Sequence, residues 1–172
     1  MLFNKPKANK KTIAVISAAV AAVIAAVAVF CMFFCGVDHS SPESITRDFL
    51  TANYEMDADD YVDCLADFSV SALLKIHNLK DTDALEDFVE KSITEDNSEL
   101  KKYEIMSCKL NNSYDKDEIH TIIGDFALSD IQKESIEDVA AVDVTVKLEG
   151  QTKNFIFYCV LMEKDWFVIT FK

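Results

Sequence analysis

A stretch of twenty-five residues without a charge, Ile13 to Val37, constrains this chain more than any other feature. As a helix rising about 1.5 Å per residue it extends roughly 36 Å, enough to cross the ~30 Å hydrocarbon core of a bilayer. Lys5, Lys7, Lys10 and Lys11 precede it and Asp38 follows it. A basic flank stays on the cytoplasmic side. The expected organisation is therefore a basic cytoplasmic tail over residues 1–11, a single-pass transmembrane helix over 12–37, and an extracytoplasmic domain over 38–172 at the cell membrane.

Two competing readings of this segment lead elsewhere. A secretory signal would place Lys5–Lys11, Ile13–Ala25 and Ala26-Val27-Ala28 as its basic, apolar and cleavage regions. Cleavage after Ala28 would leave Val29-Phe30-Cys31-Met32-Phe33-Phe34-Cys35 as the new terminus, where a polar segment is usual. A lipidated cysteine needs a small residue before it, whereas Cys31 follows Phe30 and Cys35 follows Phe34. An uncleaved anchor fits best. Ala14, Ala18, Ala22 and Ala26 recur every fourth residue, a ridge of small side chains that lets two helices approach, so a homodimer through the membrane is one candidate partnership.

The outer part has a strongly acidic balance. Four of the chain's 17 basic residues precede position 38, which leaves 13 against 30 acidic side chains, a net of −17. Such a domain has no basic footprint for nucleic acid, and it repels anionic lipid. Its cysteines are Cys64, Cys108 and Cys159, an odd number without a Cys-x-x-Cys pair. Buried reduced thiols acting as small hydrophobes are the expectation; if a bridge forms, Cys108 with Cys159 is the favoured pair.

Periodicity divides the domain into halves. Ser41-Pro42 reads as a helix start with proline at the first helical position, and Ser40 to Glu43 offers a competing capping box. Ile45, Phe49, Ala52 and Met56 mark one helix face. The acidic Asp57-Ala58-Asp59-Asp60 breaks it, and Tyr61, Cys64, Leu65 and Phe68 then follow at i, i+3, i+4, i+7, with Val70, Leu73, Leu74 and His77 continuing the spacing. Asp81-Thr82-Asp83 caps a further helix with Leu85, Phe88, Val89 and Ile93 on its buried face. Beyond it, residues 102–110 alternate as a strand, Asn111-Asn112-Ser113 turns, and residues 115–128 form a short helix. Residues 141–149 alternate cleanly, with Val142, Val144, Val146 and Leu148 opposite Asp143, Thr145, Lys147 and Glu149. Gly150-Gln151 turns the chain into 153–162, apolar on both faces and therefore central. Glu163-Lys164-Asp165 turns it again into Trp166–Phe171. Helices first and a meander of about four antiparallel strands afterwards predict an α+β class with the helices on one sheet face.

This order of elements, with its closing hairpin and the Lys164-Asp165-Trp166-Phe167 strand entry, resembles the cystatin-like α+β cone of the nuclear-transport-factor-two-like superfamily. In many membrane-anchored bacterial members the last hairpin carries a Gly-Lys-Trp-Tyr type turn, from which Asp165 departs. The stretch Ile45–Phe68, a helix, an acidic step and a Tyr-containing helix, is also similar to the opening of those domains. The resemblance covers roughly residues 42–172 and implies a curved sheet, with the helix over 115–128 as an insertion. It carries no catalytic residue, since that scaffold hosts enzymes, binding modules and structural domains alike.

Motifs for chemistry are sparse. An EF-hand-type loop from Asp57 needs an oxygen ligand fifth, glycine sixth and glutamate twelfth, but meets Tyr61, Val62 and Phe68. A loop from Asp115 meets Ile119 at the fifth place. His39, His77 and His120 are too far apart in sequence for a zinc pair, although His120 has Asp117 and Asp125 nearby as acid–base partners. No serine or cysteine sits in a nucleophile elbow, and three glycines in the whole chain leave no phosphate-cradling loop. No metal and no cofactor are implied. The Asn111-Asn112-Ser113 sequon matters only in a glycosylating pathway. A cone-shaped fold can still hold a ligand between sheet and helices, and Tyr103, Tyr158 and Trp166, with Asp143 on a polar strand face, are the pocket candidates. The expected function is a noncatalytic binding or interaction module held outside the membrane; the alternative is a small-ligand carrier or an enzyme using a pocket in the cone.

Overall fold

The structure, a computed structural model, describes residues 36–124 and 135–171. The first helix, α1 (Pro42–Glu55), starts where local chemistry dictates. Ser41 is extended at φ −151° and ψ 156°, its hydroxyl accepts from the Ser44 amide at 3.1 Å, and the Ser44 hydroxyl accepts from the Ser41 amide at 3.1 Å. This reciprocal box replaces the one expected from Ser40 to Glu43, and Pro42 has no N–H to satisfy at the first helical position. Met56 ends α1 in the left-handed region at φ 62°. Asp57 then caps α2 (Ala58–Asp63) by accepting from the Asp60 amide, so the acidic step is a helix junction, as its composition predicts.

The apolar stripe Tyr61–Cys64–Leu65–Phe68 does not form one continuous helix. The chain leaves α2 at Cys64, and Leu65 bridges Val168 in parallel while the Val168 amide donates to the Cys64 carbonyl at 2.9 Å. Val168 belongs to β4 (Asp165–Phe171), the last strand, whose outer edge would otherwise present unpaired backbone groups. Pairing with that edge outweighs the helical spacing, and the helix resumes only as α3 (Asp67–Ile76). His39 covers the same edge further along: its carbonyl accepts from the Trp166 amide at 3.0 Å, and its Nδ1 lies 2.8 Å from the Trp166 carbonyl. The helix α4 (Thr82–Asn97) begins at Asp81, whose side chain accepts from the Ala84 amide at 3.1 Å.

The remaining strands are β1 (Tyr103–Leu110), β2 (Asp138–Leu148) and β3 (Gln151–Met162), and the sheet order is β1-β2-β3-β4, antiparallel throughout. The α+β class and the central place of β3 are thus as the patterning indicates. Between β1 and β2 lies α5 (Lys116–Gly124), capped by an Asp115–Glu118 box; the rest of the helix expected over 115–128 falls in residues 125–134, outside the described stretch. The β2–β3 turn falls on Glu149-Gly150 rather than Gly150-Gln151, since Gln151 already pairs with Leu148. Its φ values, 48° and 84°, are both positive, as are those of Glu163 (52°) and Lys164 (76°) in the β3–β4 turn. Two-residue turns of this hand match the twist of the strands they join. Glu149 is also held by its own carboxylate, which accepts from the amides of Lys101 and Lys102 at 2.6 and 2.9 Å.

Both sheet faces are covered, which corrects the expectation of helices on one face only. Val142, Val144 and Val146 of β2, with Phe157 and Cys159 of β3, pack under Ile45, Phe49 and Leu50 of α1. The alternate residues Val139, Ala141, Tyr158 and Val160 pack under Ile119 of α5 and under Phe68, which the break after α2 carries around the β4 edge. The sheet is two-sided because β2 and β3 carry apolar residues on consecutive positions at that end. Cys64, Cys108 and Cys159 are all free, so the conditional Cys108–Cys159 bridge is not made. The described residues from 37 onward, 37–124 and 135–171, belong to one compact unit. Among the described residues no helix is long and apolar enough to cross a membrane; the expected anchor over 12–37, with Cys31, Cys35 and the alanine ridge, lies almost wholly outside them.

Candidate functional site

A cavity of about 360 Å³ remains between the helices and the sheet. One wall is α1, which turns Phe49, Asn53 and Tyr54 inward. The opposite wall is α4, whose inward stripe runs Leu85, Phe88, Val89, Ser92, Ile93 and Asp96 at the three- and four-residue spacing of one helix face. Tyr61 of α2 and Leu73 of α3 close the side, and Phe155 and Phe157 of β3 form the floor. The volume is that of a small-ligand pocket, and the lining has the usual character of one, mainly apolar and aromatic with a few polar groups.

The rings are arranged around this space. Phe49 lies 4.4 Å from Tyr61, tilted 38°, and meets Phe157 edge-on at 5.7 Å; Phe155 and Phe157 are edge-on at 6.5 Å. Phe88 stands at the mouth, 38% exposed, with the His77 ring 4.3 Å away. Burial raises the Tyr61 hydroxyl above its ordinary pKa, and the negative charge of Asp96 adds to the shift. Burial also raises Tyr54. Both hydroxyls therefore remain protonated and able to donate at any physiological pH. Asp96, the only carboxylate in the lining, is exposed at the rim, and the lining contains no basic side chain.

The three residues expected to line a pocket are not brought together. Tyr103 sits on β1, where its hydroxyl donates to Glu55 at 2.7 Å and its ring lies 5.0 Å from that of Tyr54; burial and the Glu55 carboxylate push its pKa up to about 12. Tyr158 is buried on the other sheet face, edge-on to Tyr114 at 5.8 Å, with its pKa up to about 12 from burial and the Tyr114 hydrogen bond. Trp166 is half-buried on β4 beside His39 and packs against the core. Asp143 is exposed, accepts from Asn111 at 2.8 Å, and borders a separate concavity on the outer sheet face with Tyr114, Thr145 and Asn154. Tyr103 thus touches the pocket only through Tyr54. The residues that do line it carried one legible sign, the four-residue recurrence of Phe88, Ser92 and Asp96 beside the apolar face of α4.

The other reactive side chains have structural surroundings. Cys159 is fully buried beside the Thr46 hydroxyl, which donates to the Pro42 carbonyl at 2.6 Å; burial pushes the thiol up to about 12, and burial likewise raises Cys64. Such thiols are not nucleophiles at neutral pH. Among the described residues no three His, Cys, Asp or Glu side chains are placed to hold a metal ion. An open acidic groove bordered by Glu55, Asp57, Asp59, Glu86, Asp87 and Glu90 lies where the α1–α2 junction faces α4. Comparison with family models, with curated proteins and with solved structures gave no match.

Proposed function

We propose that this chain is a single-pass, membrane-anchored module whose outer domain binds a small, largely hydrophobic ligand without transforming it. The observation that carries the reading is the aromatic cavity between α1, α4 and β3. The space is a half-open cleft of about 360 Å³, and six aromatic side chains among its lining set it apart from the more polar concavities elsewhere on the domain. The uncharged run Ile13–Val37 behind four lysines supports the membrane anchor and the outward orientation of residues 38–172. The order of helices and strands is consistent with the cystatin-like cone of the nuclear-transport-factor-two-like superfamily, and ligand binding between helices and sheet is consistent with that architecture.

Native mass spectrometry of the full chain, released gently from membranes, tests the reading. The expected result is an added mass of a few hundred daltons that disappears on denaturation, or stoichiometric uptake of a neutral apolar dye by the bare protein. A bare mass together with no dye uptake would overturn it.

A further inference from the structure

We propose that the ligand of this pocket is a hydrophobic organic cation, a substituted amine or quaternary ammonium held against aromatic faces. The proposal rests on the binding reading above and adds the chemical class.

Three features of the molecule converge on positive charge. The first is the lining. Phe49, Tyr54, Tyr61, Phe88, Phe155 and Phe157 surround one small space, and the face of an aromatic ring carries negative quadrupole potential that attracts a cation within about 6 Å of its centre. A purely apolar ligand is served equally well by leucine and valine walls; six rings around one cavity favour a charge that is too weakly hydrated to resist burial. The second is Asp96, whose charge reaches Tyr61 inside the pocket and stands where an ammonium group entering the mouth would meet it. The third is the surrounding field. Asp57, Asp59 and Asp60 on or beside α2 and Glu86 and Asp87 on α4 lie on the elements that build the pocket, and the only Lys–carboxylate pairs among the described residues are Lys80–Asp81 and Lys116–Asp138. Asp60 is held above its ordinary pKa by burial and by Asp57, Asp59 and Asp63, the mark of negative potential without a compensating base.

The lining holds no basic side chain, and the His77 ring stacks on Phe88 from outside it. An anionic amphiphile such as a fatty acid would therefore enter against Asp96 and the acidic flank and meet only the neutral donors of Asn53, Tyr54, Tyr61 and Ser92, with no positive charge to receive its carboxylate. A cation gains at each step: attraction at the rim, then ring faces in the interior, where reduced solvent strengthens both.

The decisive experiment compares three probes of similar size on the full chain in nanodiscs of zwitterionic lipid, with empty nanodiscs as the blank: trimethyl(2-phenylethyl)ammonium, neutral 4-phenyl-2-butanone and anionic 4-phenylbutyrate. Titration calorimetry should show the cation binding about tenfold tighter than the neutral probe, with the anion weakest. Asp96→Asn should cost the cation about fivefold, well beyond its effect on the neutral probe, and Tyr61→Leu should weaken the cation more than the neutral probe; circular dichroism confirms that both variants fold. Equal or tighter binding of the neutral or anionic probe overturns the cation assignment while the pocket reading stands. No binding by any of the three overturns both.

Discussion

The sheet and the helical half of this domain are built under different constraints, and the pocket lies where they differ most. In the sheet, hydrogen-bond ladders fix β1 to β4 in register, and the strand spacing leaves valine-sized residues such as Val142, Val144 and Val146 completely enclosed. The helices are short, 6 to 16 residues from α1 to α4, and are separated from one another only by side chains. Around the cleft between α1 and α4 those side chains include large rings: Phe49 of α1 meets Tyr61 of α2 tilted and Phe157 of β3 edge-on, and space is left beside them. Backbone pairing dictates distance, whereas helix packing lets side-chain size choose it. A binding site can be opened in the second regime without disturbing the first.

Matched truncations are the sharpest way to break this comparison. Val144→Ala removes methyl groups from a fully enclosed site and should cost about 2 kcal/mol, read as a lower urea midpoint with unchanged slope. Phe88→Ala removes far more atoms, but from the mouth of the pocket, and should cost less than about 1 kcal/mol while weakening ligand binding. A loss at Phe88 as large as that at Val144 would mean the helical half is packed like the sheet. The converse substitution, Ser92→Phe, introduces a ring into the cavity. It should raise stability by about 1 kcal/mol and abolish probe uptake, since the added apolar surface meets empty space. Destabilisation by about 1–3 kcal/mol, the usual result of overpacking, would show that the space is not there to fill.

The turns test the sheet alone. Glu163 and Lys164 both adopt positive φ, a conformation that costs a residue with a Cβ about 1 kcal/mol or more. Replacing the pair with Asn-Gly should stabilise the domain by roughly 1 kcal/mol in thermal melts. The equivalent change at Glu149 should gain less, because that carboxylate accepts two backbone hydrogen bonds from Lys101 and Lys102 that asparagine cannot reproduce at full strength. Equal gains at the two turns would remove the distinction.

The same division governs how much of the fold was legible in the chain. Caps at Ser41, Asp57 and Asp81 were legible because each is made within four residues, and the alternation of Val142, Val144 and Val146 was legible because a pleat has period two. The break at Cys64–Ala66 was not, because its cause is Val168, about a hundred residues away, which pairs with Leu65. The second covered sheet face escaped for a similar reason: Ile119 shows a helix with an apolar side but not which face of the sheet receives it. Tyr103, Tyr158 and Trp166 are aromatic strand residues, as expected, yet a pocket depends on the gap between helices, and no local pattern encodes a gap. Phe49, Tyr61, Leu73, Leu85, Phe88, Val89 and Ile93 read as ordinary buried helix faces, and only Ser92 and Asp96, one and two turns beyond Phe88, set this flank of α4 apart as polar.

The smallest expected effect belongs to the acidic flank of the helical half. Burial, then the charges of Asp57, Asp59, Asp63 and Asp48, hold the Asp60 carboxyl above its ordinary value of 3.8. A carboxyl that binds its proton more tightly folded than unfolded makes the folded state lose stability as pH rises from the ordinary value through the raised one, and the loss is complete above it. At neutral pH Asp60 therefore opposes folding, while below pH 3.8, where both states are protonated, it does not. Because the side chain is largely exposed, solvent screening limits the effect to about 0.5 kcal/mol. Asp60→Asn should raise the melting temperature slightly at pH 7 and leave it unchanged at pH 3. Asp60 also lies in the first turn of α2, where a negative charge gains from the helix dipole. If that gain dominates, the variant will be less stable at pH 7, and the acidic flank will count as helix support rather than as unneutralised potential around the pocket.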